Sequence, residues 1–202
     1  MPWLNWPNRI TIARIALVPF FVICLLNVNE PGGRWRYSAI VLFALMAISD
    51  VLDGFLARRL GETTPLGRFL DPVGDKLLIS SSMVLLALPE TAIAGYHLPG
   101  WVAVIAIGKD VLTVIGFALI YATTSQYFIE PRTWGKACTL IQSVLVAFAL
   151  VAPDLPRSAI EAWPILGWTA SILAIVAVID YGRVGNRFAA GIHARQKKEE
   201  RP

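Results

Sequence analysis

Six runs of predominantly apolar residues, at 10–26, 37–60, 69–88, 101–122, 135–151 and 165–179, leave this chain few ways to fold in water. Most are close to the roughly 20 residues that carry an α-helix across a bilayer. Turn-rich pieces divide them: "NVNEPGGRW", "GETTPLG", "PETAIAGYHLPG", "TSQYFIEPRT" and "PDLPRS". Only 16% of the 202 residues are charged and 56% are hydrophobic, where a soluble domain has about a quarter charged. The expectation is an all-α integral membrane protein of one domain: a short N-terminal interfacial segment at 1–9, a core of six transmembrane helices at 10–182 and a basic cytoplasmic tail at 183–202. The run "ITIARIALVPFFVICLL" lacks a small-residue cleavage site and further spans follow it, so it reads as a first helix and not as a signal peptide.

The formal charge of +4 does not point to nucleic acid, because the basic residues gather in loops and in the tail. Arg58, Arg59 and Arg68 lie in one loop, Arg132 and Lys136 in another, and a cluster from Arg183 follows the last run. With six crossings these share a side, which the positive-inside rule makes cytoplasmic. Arg34, Arg36 and Arg157 fall opposite and weaken the asymmetry without reversing it. The expected location is a bacterial-type inner or cell membrane, with the tail against anionic lipid. Cys24 and Cys138 sit in apolar runs without metal-ligand spacing and read as buried small residues.

Against this background the stretch "SDVLDGFLARRLGETTPLGRFLDPVGDK" is anomalous, since it sets Asp50, Asp53, Asp71 and Asp75 beside lipid-embedded segments. An ionised carboxylate in hydrocarbon costs at least about 2.5 kcal/mol, so such residues are rare and functional by default. Helical positions three or four apart are neighbours, so Asp50 shares a face with Asp53, and Asp71 with Asp75. A hairpin containing Gly61, Pro65 and Gly67 would bring the two pairs together. Four unpaired carboxylates repel one another, and divalent cations relieve that repulsion. No Cys or His accompanies them, so the donor set is hard oxygen, which suits Mg²⁺, Mn²⁺ or Ca²⁺. Two ions among shared carboxylates suit phosphoryl chemistry on a diphosphate. Gly54, Ala57 and Gly67 allow close approach, and Arg58 can neutralise phosphate oxygens. Taken singly, each aspartate also reads as a solvated helix end and each arginine as a membrane anchor; the set in this register does not.

The register Asp50, Asp53-Gly54, Ala57-Arg58, Gly67, Asp71, Asp75 resembles the signature of the CDP-alcohol phosphotransferases, with every fixed position matched. The resemblance implies six transmembrane helices with the site facing the cytoplasm, and a homodimer. It further implies that Asp50, Asp53, Asp71 and Asp75 hold two Mg²⁺ or Mn²⁺ ions, with Asp71 and Asp75 catalytic and Asp75 the general base. Asp53, Gly54, Ala57, Arg58 and Gly67 would hold the CDP moiety. The implied reaction moves the phosphatidyl group of CDP-diacylglycerol to an alcohol and releases CMP.

Four further charges bear on the acceptor: Arg14 in the first run, Lys109 and Asp110 in the fourth and Lys136 at the start of the fifth. Intramembrane ions of this kind face a cavity or one another, and together they read as an anion pocket. Singly, Lys109 with Asp110 also reads as a self-contained ion pair, and Arg14 and Lys136 as snorkelling side chains. "PNRITIARIALVPFF" and "WGKACTLIQ" are similar to the branch of the family that uses glycerol 3-phosphate and makes phosphatidylglycerophosphate. "IGKDV" looks closer to the CMP-forming branch whose acceptor is phosphatidylglycerol and whose product is cardiolipin. Glycerol 3-phosphate is the leading expectation and phosphatidylglycerol the alternative. A cation transporter lined by the aspartates, from a different class, would explain intramembrane acid but not the glycine, alanine and arginine in fixed register.

Overall fold

The apolar runs become helices, and the turn residues between them become their ends. The computed structural model describes residues 6–60, 65–93, 96–124 and 133–199, with 53–60 and 65–72 among those described as backbone. Six α-helices follow one another: α1 (Trp6–Leu26), α2 (Arg34–Leu60), α3 (Pro65–Ala87), α4 (Gly100–Thr124), α5 (Thr133–Val151) and α6 (Ala162–Glu199). Two short 3₁₀ turns, Ala152–Asp154 and Arg157–Glu161, join α5 to α6. Pro65 opens α3 at the position where its missing N–H costs nothing. Between α1 and α2 the chain reverses through Gly32 and Gly33 at φ of +93° and +66°, a region that side chains disfavour.

Three features of these helices bear on the sequence expectation. Four stretches among the described residues are long and apolar enough to cross a membrane: Arg9–Leu26, Gly100–Ile120, Thr133–Asp154 and Ser158–Phe188. α2 and α3, at 27 and 23 residues, complete the six helices. α1 begins at Trp6, so residues 6–9 of the expected interfacial segment form its first turn; residues 1–5 lie outside the described residues. Finally, α6 runs on without a break to Glu199, so most of the basic tail continues the last helix. At 1.5 Å per residue its 38 residues extend about 57 Å, well beyond a hydrocarbon core of about 30 Å.

α1 packs on α2 and α3, α6 packs on α4 and α5, and α3 joins the two groups through contacts with α4 and α5. The core between them is apolar and fully covered, with Phe21, Leu25, Met46, Met83, Leu86, Leu145 and Leu150 almost or wholly inaccessible. Outward faces are apolar too: Val104 is 71% exposed, Ile165 65% and Leu140 64%. Apolar outside as well as inside is the pattern of helices solvated by lipid, and the molecule is a multi-pass membrane protein.

One end of the bundle is stitched shut by its loops. The Asn29 side chain donates to the carbonyls of Glu90 and Ala92 at 3.2 and 3.0 Å. The Tyr96 hydroxyl donates to the Ala152 carbonyl at 3.1 Å, and the Trp163 indole N–H to that of His97 at 3.3 Å. Arg36 grips Asp154 through two N–H···O bonds of 2.8 Å and also donates to the Leu150 carbonyl at 3.0 Å. The rings of Tyr96, Phe148 and Trp163 pack among these bonds.

At the other end the approach of α1 to α3 is set by Gly74, where an added Cβ would lie 3.2 Å from Ile15 Cγ1. Replacing Gly74 by Leu should therefore push α1 off α3, at about 1–3 kcal/mol of overpacking. The checks are a fall in thermal midpoint in detergent and a loss of turnover larger than that for Gly74→Ala.

Candidate active site

Opposite the stitched end, charged residues from five helices meet. Arg14 on α1 is 1% exposed, yet its charge is not stranded. Its Nη1 donates to Asp50 Oδ1 on α2 at 2.5 Å and to Asp75 Oδ1 on α3 at 3.0 Å. One guanidinium nitrogen thus draws two carboxylates, 25 residues apart in sequence, to a common point. Both remain partly open, at 43% and 36% side-chain exposure. The sequence suggested Arg14 for the acceptor pocket; the structure pairs it with the acids.

Lys76, one residue after Asp75, leans the other way and bonds Asp110 on α4 at 3.0 Å. Lys109 bonds the same Asp110 oxygen at 3.1 Å. The Lys109–Asp110 pair is therefore not self-contained but ties α4 to α3. Among the described residues, two lysines share this one aspartate oxygen.

A cavity of about 510 Å³ lies between the two groups. Asp50 and Asp75 line it on one side and Lys76, Lys109 and Asp110 on another. α5 contributes Lys136, Thr139, Gln142 and Ser143; Thr139 is three residues from Lys136 and from Gln142 and four from Ser143, which groups them on one helical face. Tyr181 of α6 completes the wall. The volume is that of a small-molecule site, with its polar groups converging. Lys109, Asp110 and Lys136, suggested from sequence, do share one cavity with the acids. Lys76, Gln142 and Tyr181 were missed. The three-residue periodicity from Lys136 could have found Gln142, whereas nothing local marks the contact from Lys76 to a residue 34 positions away.

The remaining candidates stand on helical backbone: Asp53, Gly54, Ala57 and Arg58 on α2, and Gly67 and Asp71 on α3. Their side chains lie outside the described residues. Among the described residues no group of three or more possible ligands gathers. What is described of the acid set fits a hard divalent cation: two carboxylates that converge, both open to the cavity. Cys138 is fully buried, and His97 bonds the Ala87 carbonyl at the stitched end. Neither brings a soft ligand to the acids.

The family model for CDP-alcohol phosphatidyltransferase matches residues 4–179. Among similar proteins, the CDP-diacylglycerol--glycerol-3-phosphate 3-phosphatidyltransferase of Bacillus subtilis (strain 168) is 31% identical over 189 residues, covering 88% of this chain and 93% of its own. The protein of the same name from Escherichia coli (strain K12) is 33% identical over 159 residues, covering 75% and 79%. A probable phosphatidylglycerophosphate synthase of Mycobacterium tuberculosis (strain ATCC 25618 / H37Rv) is 30% identical over 190 residues, covering 93% and 85%.

Proposed function

The chain belongs to the CDP-alcohol phosphatidyltransferase family, and from that premise we propose that it transfers the phosphatidyl group of CDP-diacylglycerol to glycerol 3-phosphate, giving phosphatidylglycerophosphate and CMP. The observation that carries the reading is the cavity itself: carboxylates on one wall, and on the others lysines whose charge exceeds that of the one aspartate between them. The first suits the activation of a hydroxyl, the second the binding of a phosphate monoester. The names of the relatives support glycerol 3-phosphate over phosphatidylglycerol.

In the reaction the acceptor hydroxyl oxygen bonds the β-phosphorus of CDP-diacylglycerol as the bond from that phosphorus to the CMP oxygen breaks. Asp75 takes the hydroxyl proton, and its partial exposure to the cavity leaves it reachable. Asp50, Asp53, Asp71 and Asp75 would hold two Mg²⁺ or Mn²⁺ ions, which when bound supply charge stabilisation to the diphosphate and the leaving CMP. Asp53, Gly54, Ala57, Arg58 and Gly67 hold the CDP moiety. Lys109 and Lys136 hold the acceptor phosphate, and Asp110 fixes Lys109. Arg14 keeps two of the acids together. In this reading all six helices of the core cross the membrane, the acid end faces the cytoplasm, α6 beyond 183 meets anionic lipid, and two copies form a homodimer. A transporter would need a through-path, which the hydrogen-bonded loops at the opposite end disfavour.

The test is an acceptor panel: purified protein, CDP-diacylglycerol and Mg²⁺, with glycerol 3-phosphate, phosphatidylglycerol or inositol phosphate added separately. CMP release with glycerol 3-phosphate alone is expected. Release with phosphatidylglycerol alone would transfer the chain to the cardiolipin branch, and metal-dependent ion flux without CMP would transfer it to another class. Within the same assay, Lys136→Ala should raise KM for glycerol 3-phosphate by about 10-fold or more, as loss of a charge-assisted bond of about 1.5–3 kcal/mol predicts, with KM for CDP-diacylglycerol little changed.

A further inference from the structure

Gln142 sits in the apolar middle of α5, 2% exposed, and lines the cavity. A carboxamide carries two N–H donors and an acceptor oxygen with two lone pairs. Among the described residues none bonds to it, although its neighbours on the same face are satisfied by the helix itself. Thr139 Oγ1 donates to the Gly135 carbonyl at 3.2 Å and Ser143 Oγ to the Thr139 carbonyl at 2.9 Å. A buried polar side chain without a partner calls for an explanation. Here the cavity that it borders supplies one.

We propose that Gln142 is a specificity-determining residue that hydrogen-bonds the non-reacting hydroxyl of the acceptor, next to the phosphate-bearing carbon of glycerol 3-phosphate. The inference rests on the phosphatidyltransferase reading above. Its chemistry follows from the neutrality of the amide: lysines on the same wall answer a phosphate, and a carboxylate answers the hydroxyl that must lose its proton. A hydroxyl that neither reacts nor carries charge is matched by a group that can both donate and accept. Six residues separate Lys136 from Gln142 along α5, about 9 Å of rise. A lysine side chain and a three-carbon phosphate ester span that distance between them. A site built around such a hydroxyl disfavours an analogue lacking it, because the buried amide is then left unpaired.

The test compares glycerol 3-phosphate with 3-hydroxypropyl phosphate, which keeps the phosphate and the reacting hydroxyl and lacks only the middle one. The wild-type protein should prefer glycerol 3-phosphate by about 10- to 100-fold in kcat/KM, the loss expected for one unpaired buried amide. Gln142→Met, of similar length and unable to hydrogen-bond, should bring that preference to within about threefold. A purely structural role would slow both acceptors together and leave the ratio intact, which overturns the inference. Equal use of both acceptors by the wild-type protein overturns it as well, even if the variant fails to fold. A wild-type protein that releases no CMP with glycerol 3-phosphate, but does so with phosphatidylglycerol, defeats the parent reading and this one together. CMP release that requires glycerol 3-phosphate, with no discrimination, defeats this one alone.

Discussion

Replacing Asp75 by Asn should reduce CMP release by about 10³-fold or more while leaving the helices folded. The size follows from the two roles that the carboxylate is given. General-base assistance contributes about 10²- to 10⁴-fold, and the amide keeps the shape of the side chain but neither takes up the proton nor offers an anionic oxygen to a cation. The fold tolerates the substitution because the asparagine oxygen can still accept from Arg14 and Asp50 continues to pair the guanidinium. The measurement is glycerol 3-phosphate-dependent CMP release at saturating CDP-diacylglycerol, alongside the helical circular dichroism of the purified variant. Full turnover with an intact fold would remove Asp75 from the chemistry.

The second large effect is on stability. Arg14→Met should lower the thermal midpoint in detergent, because a buried cation is removed from between two carboxylates that then repel one another. Breaking a buried pair costs about 3–5 kcal/mol. The partial exposure of Asp50 and Asp75 moves the expected loss toward the lower end of that range, because water screens them on the cavity side. The sign of the metal effect is the sharper check. If divalent cations bind among the acids, they replace part of the missing charge, and added Mg²⁺ should raise the midpoint of the variant by more than that of the wild-type protein. An equal rise in both proteins would separate Arg14 from the metal site.

Much of the fold was legible from the sequence, and particular residues show why the rest was not. Except at the C-terminal end of α6, which runs 20 residues past its apolar run, the helices begin and end within a few residues of those runs, with Gly32, Gly33, Pro65 and the 89–100 piece placed where a helix must stop or start. α2 and α3 were read as helices despite the charges they carry between 49 and 76, and both are helical through that stretch up to the hairpin. Asp50 and Asp75 were marked by being costly where they stand. The pairing of Arg14 with them was not legible, since spacing within one helix says nothing of which neighbour a buried cation meets. The same holds for Lys76 and Asp110, joined across two helices. Gln142 escaped for another reason: a neutral amide in an apolar helix reads as packing until a cavity is found beside it.

Among the described residues, Asn29, Arg36, Tyr96 and Trp163 tie the loops together at the end away from the charged cavity, so the proposed reaction places polar headgroups at the other end. Under the proposed reaction each product molecule would form in the leaflet bordering that end. A phosphate headgroup does not cross the hydrocarbon readily, so one face of the bilayer would gain area ahead of the other until separate machinery carried headgroups across.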